Sequence, residues 1–79
     1  MAHHPSFSDW MRVEELITDI DMFNAILKNY RNRDQITVGE SAQLVKIQIK
    51  KMMRIEELKF IVRNFPHVPQ YVLERIHQV

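Results

Sequence analysis

The sequence predicts an all-α, single-domain bundle, and three observations carry that prediction. Only one Gly interrupts 79 residues. Large apolar residues recur at steps of three and four, which places them on one side of a helix. Turn signals are few and cluster in two places, around 31–37 and around 64–69. A chain this short holds one core, so residues 1–79 are read as one domain. Hydrophobic residues make up 46% and net charge is only +1, which excludes a disordered chain. No Cys is present, so neither a disulfide framework nor a thiolate site is available. No apolar run approaches the roughly 18 residues of a membrane span. The opening MAHHPSFSDW lacks the basic flank and apolar stretch of a secretory leader. A cytoplasmic protein is expected, with residues 1–8 flexible.

The first stripe is Val13, Leu16, Ile20, Phe23, Leu27 and Tyr30, at alternating steps of three and four. Ser8 is expected to cap its start, with Asp9 in the first turn, where an acid favours the helix dipole. Thr18, followed by Asp19 and Asp21, is itself a start signal. The stripe is therefore read as one helix or, preferably, two, over about 9–17 and 19–30. Residues 31–36 carry no stripe and form a polar connection.

Thr37-Val38-Gly39-Glu40 matches a capping box, in which Thr37 and Glu40 each satisfy the other's backbone amide. The helix that follows meets no breaker before Asn64-Phe65-Pro66, so it spans about 38–63 and is nearly 40 Å long. It is the expected central spine of three to four helices. Leu44, Ile47, Ile55, Leu58 and Val62 share one side, while Val45, Ile49, Met52, Met53 and Phe60 share another. A helix apolar nearly all round is expected to be buried. Lys46, Lys50 and Arg54 form the narrow polar ridge between. Pro69 suits the first position of a last helix over about 69–78, docked by Val72, Leu73, Ile76 and Val79.

Val, Ile, Leu, Met, Phe, Trp and Tyr total 33 of 79 residues, more than a domain this small can cover by itself. A homo-oligomer or a protein partner is therefore expected. The net charge conceals an acidic half, −3 over 1–40, and a basic half, +4 over 41–79. Such halves attract each other within a fold or across a dimer, or present opposite faces to partners.

His3 and His4 are adjacent near the terminus, and His67 and His77 lie ten apart, so no His pair has metal-ligand spacing. Glu14–Glu15 and Glu56–Glu57 are neighbours in sequence and diverge around a helix. One Gly cannot build a phosphate loop, and no His neighbours Ser6, Ser8 or Ser41 to activate them. Neither an enzyme nor a cofactor or small-molecule substrate is expected. The ridge Lys46, Lys50 and Arg54, extended by Lys51, could follow a phosphate backbone. The isoelectric point of 8.1 is below that of most nucleic-acid binders, so such binding is expected to be weak.

Four segments together resemble a known family. These are Thr18-Asp-Ile-Asp-Met-Phe-Asn-Ala-Ile-Leu-Lys-Asn29, Ile36-Thr-Val-Gly-Glu-Ser-Ala-Gln-Leu44, Arg54-Ile-Glu-Glu-Leu58 and Val68-Pro-Gln-Tyr-Val-Leu-Glu-Arg-Ile76. Over about 18–76 the chain resembles the Hha/YmoA family of small four-helix bacterial proteins. That family ends in a Pro-x-x-Val-aromatic segment and carries an Arg-x-x-Glu-Leu stretch on its long third helix. The resemblance implies a bacterial modulator that binds the dimerisation region of the H-NS nucleoid protein, with Arg54 and Glu57 as the charges carried over. The family has Asp and His just before that Arg; here Lys50-Lys51-Met52-Met53 stands instead.

The expected function is thus a non-enzymatic protein-interaction module. It would be a small bacterial, plasmid or phage regulator docking a nucleoid or transcription protein through an apolar surface oriented by charge. The expected contacts are Lys50, Met52, Met53, Arg54 and Glu57, with Arg31 and Arg33 as a second patch. The alternatives are a weak nucleic-acid binder through Lys46, Lys50, Lys51 and Arg54, or a purely structural homo-oligomer.

Overall fold

A computed structural model describes residues 4–77, in which three α-helices and no strand occur. Helix α1 spans Phe7–Arg31, α2 spans Val38–Val62 and α3 spans Gln70–Ile76. Helices α1 and α2 form an antiparallel hairpin, and α3 packs on its open half, bonded to Glu14 and Asp21 of α1. Residues 1–3, within the segment expected to be flexible, and Gln78 and Val79 lie outside the described residues.

Helix α1 is continuous, so the expected break at Thr18 does not occur. The Thr18 hydroxyl donates to the carbonyl of Glu14 one turn back, at 2.9 Å. It thereby joins the helix instead of capping a new one. Asp19 and Asp21, which looked like first-turn acids, accept instead from Arg54 and Arg75 on the other two helices. The cap also lies two residues earlier than expected. Ser6 Oγ accepts from the Asp9 amide at 3.1 Å, and Asp9 Oδ2 accepts from the Ser6 amide at 3.0 Å. This is a capping box with Asp in the reciprocal position.

The second capping box forms as the sequence predicts, between Thr37 and Glu40. Such a cap is worth about 1 kcal/mol. Pro69, expected at the first helical position, stands at the N-cap of α3, which begins one residue later, at Gln70.

The core sits at the open end of the hairpin. Val13, Leu16 and Ile20 of α1, Leu58 of α2 and Val72 of α3 are fully enclosed. Ile17, Ile55, Val62 and Phe65 complete it, and Trp10 tilts against Phe65 with ring centroids 5.1 Å apart. Towards the connection over 32–37 the hairpin thins, with Phe23 and Leu27 the last buried side chains of α1.

One expectation about α2 is not borne out and a second is overturned. A single central spine is not seen, since α1 is equally long, at 25 residues, and lies beside α2. Nor is α2 buried: of its apolar residues only Ile55, Leu58 and Val62 are. Among the described residues there are two long helices and one short one, and no further element covers the second apolar side of α2.

The shape records that shortfall. The molecule measures 52 × 18 × 18 Å, with a radius of gyration of 15.0 Å. A compact chain of this length would have about 12 Å. Its accessible surface is 5925 Å², about 900 Å² above that of a typical monomer of its mass.

Candidate protein interface

Charged pairs tie α1 to its neighbours along two seams, which use much of the opposite charge in the two halves. On one seam Arg12 bridges to Glu57 through both Nε and Nη2, at 2.6 and 2.9 Å, and donates to Glu15 at 3.0 Å. Further along, Arg54 Nε donates to Asp19 at 3.1 Å. On the other seam, α3 is held by Tyr71, whose hydroxyl donates to Glu14 at 2.5 Å, and by Arg75. The latter's guanidinium forks onto Asp21 with two bonds of 3.1 Å.

These bonds move the titration of their partners. The Arg12 guanidinium holds Glu57 below the usual carboxylate range, and Thr37 does the same to Glu40 through its backbone amide. Donation to Glu14 raises the Tyr71 phenol. A carboxylate with a depressed pKa contributes stability that is present above the unfolded value and lost as pH falls. Thermal stability should therefore decline below about pH 4.5, the ordinary value for Glu. The raised Tyr71 works in the opposite direction, with its contribution complete below pH 10.0 and lost above it. Melting followed by circular dichroism from acid to alkali checks both limbs. Glu57→Gln should flatten the acid limb and Tyr71→Phe the alkaline one; limbs unmoved by either change would refute these assignments.

The expected contact residues divide between the seams and the outer surface. Arg54 and Glu57, the two charges carried over from the family resemblance, stand in the α1–α2 seam. Arg33 stacks its guanidinium 4.8 Å over Tyr30 and pairs with Glu40, bracing the connection. Arg31 is exposed, and it lies with Lys51 beside Leu27, Met52, Ile55 and Ile76 in a shallow groove beyond the end of α3. The possible phosphate ridge is divided: Lys46 and Lys50 are exposed, Lys51 is half-buried towards the groove, and Arg54 is held by Asp19.

Met52 and Met53 stand on the outer face of α2, 65% and 60% exposed. They are not isolated. Val45 and Ile49, each 54% exposed, and Phe60, 63% exposed, continue the same apolar face over four turns. Arg63 covers part of the Phe60 ring, with its guanidinium carbon 4.2 Å from the centroid. Scattered apolar residues are ordinary on a surface, whereas a largely apolar face of this length, interrupted by the exposed Glu56, is of the kind that marks an interaction site. Sequence patterning found these five residues but assigned them to a buried side. The signal that could have placed them outside is their count against the number of helices available to cover them.

The outer face of α1 offers a second, weaker stripe of Phe7, Met11 and Met22. Glu14 and Glu15 interrupt it at mid-length, and both are exposed. Among the described residues no group of three His, Asp or Glu could hold a metal ion, and no helix is long and apolar enough to cross a membrane. No family model matches the chain, and neither a curated protein nor a solved structure matches it.

Proposed function

We propose that this protein is a non-enzymatic interaction module of the cytoplasm, which docks a protein partner through the outer face of α2. The exposed face from Val45 to Phe60 carries the proposal. Met52 and Met53 at its middle are flexible and polarizable, which suits a surface that adapts to a partner. Exposed Lys46 and Lys50 flank it and would orient the approach of an acidic surface. The resemblance to the Hha/YmoA family adds a candidate for the occupant, a bacterial nucleoid or transcription protein, and hence a regulatory role. With Arg54 and Glu57 already paired across the α1–α2 seam, the contact falls chiefly to Met52, Met53 and Lys50.

The experiment is a comparison of the wild-type chain with Met52→Glu/Met53→Glu as bait in a bacterial lysate. Captured proteins are then purified and titrated back by calorimetry. A genuine partner should bind the wild type in high salt and lose at least tenfold in affinity for the double variant. A phosphate-tracking nucleic-acid contact would instead weaken steeply with salt. A partner that binds both chains equally would refute the assignment.

A further inference from the structure

We propose that the outer face of α2 is self-complementary, and that two copies of the chain pack α2 against α2, antiparallel, about a two-fold axis between Met52 and Met53. This rests on the reading of that face as the interaction surface, and names a second copy as its occupant.

The spacing of the face is the first argument. Read outward from its middle, it runs Met52, Ile49, Val45 in one direction and Met53, Glu56, Phe60 in the other. The steps are three and then four on both sides. A two-fold axis at the middle therefore sets Met52 against the partner's Met53, Ile49 against the partner's Glu56, and Val45 against the partner's Phe60. A two-fold interface requires one patch that meets itself in this way; the middle and outer pairs are apolar, and the pair between them sets Ile49 beside the aliphatic stem of Glu56. Glu56 does not arrive bare, since Lys59 donates to it at 3.3 Å.

Charge is the second argument. In this antiparallel register Lys46 and Lys50 of one copy straddle the partner's Glu57, each within one helical turn of it. Glu57 lies at the outer rim of the α1–α2 seam with its side chain 39% exposed, so it can meet those ammonium groups while keeping Arg12. The stripe on α1 supplies the contrast. Phe7, Met11, Glu14, Glu15, Thr18 and Met22 repeat the same steps, but self-pairing there would gather four carboxylates at the axis. Like charges so placed oppose association. Of two faces with equal spacing, only the one on α2 has an apolar centre.

Area is the third argument. The chain exposes about 900 Å² more than a compact monomer of its mass. A standard specific interface covers about 800 Å² on each partner. The surplus is thus the size that one self-contact would remove.

The chain has no Cys, which permits a direct test. Met53→Cys places two thiols beside the axis, whereas Ser41→Cys places them more than about 30 Å apart along the paired helices. Under mild oxidation, Met53→Cys should form a covalent dimer of twice the 9.5 kDa chain mass, and Ser41→Cys should not. Light scattering over a hundred-fold concentration range should show the wild-type mass doubling and Met52→Glu/Met53→Glu remaining single. Circular dichroism confirms that the double variant keeps its helices, as expected for exposed positions. A wild type that stays monomeric throughout overturns self-pairing; if a purified protein partner still requires Met52 and Met53, the docking function survives. A dimer that forms equally well with the double variant, or links equally through Ser41→Cys, also overturns the proposed axis.

Discussion

Replacing Leu58 by Ala should lower the thermal midpoint by about 12–24 °C. Leu58 is fully enclosed where the three helices meet. Shortening such a side chain removes its transfer energy and leaves a void, together about 3 kcal/mol. In a domain of this size each kcal/mol is worth about 4–8 °C. Total stability is on the order of 4–12 kcal/mol for a chain of this length, so one truncation takes a large share. Val38→Ala is the control, because Val38 is 89% exposed at the start of α2 and should change little. Melting followed by circular dichroism at one fixed chain concentration distinguishes them. Equal midpoints for the two variants would show that the core is elsewhere.

Val72→Asp should detach α3. The change puts a carboxylate where no solvent reaches, at a cost of several kcal/mol unless the group escapes to water. Escape is easy here, because α3 has seven residues and a helix so short has no stability of its own. Apart from its apolar side, it is held to α1 by Tyr71 on Glu14 and Arg75 on Asp21. The segment that leads into it carries Phe65, which packs on Trp10. Release should therefore expose Trp10, shifting its emission to longer wavelength while the far-ultraviolet helix signal of α1 and α2 largely remains. Tyr71→Phe removes one hydrogen bond and should leave the emission unchanged at neutral pH. A native Trp10 spectrum in Val72→Asp would contradict this account.

What could be read from the sequence, and what could not, follows from the range of the interactions involved. Thr37 and Glu40 cap each other across three residues, so that helix start was legible, as was the stripe from Val13 to Leu27. Thr18 misled because a start signal and an internal helical hydroxyl are the same residue. The difference is that Asp19 and Asp21 find their cations 35 and 54 positions away, and local patterning cannot report such pairings. Met52 and Met53 stand out in the sequence as an adjacent apolar pair. Their exposure depended on how many helices pack around α2, which is a property of the whole assembly and not of its own period.

The seam between α1 and α2 also fixes how far one helix can slide past the other. Arg12 meets Glu57, whereas Asp19 meets Arg54, so the cation comes from α1 in the first pair and from α2 in the second. A slip of about one turn in one direction would bring Arg12 to Arg54. A slip in the other would bring Asp19 to Glu57. Each displaced alignment sets like charges together, which is unfavourable by about as much as the pair is favourable. The apolar side chains alone, repeating nearly every turn, would tolerate such a shift far better. Alternating the sign of the charges turns a smooth track into a ratchet with one resting tooth, and thereby sets which residues of α2 are left facing outward.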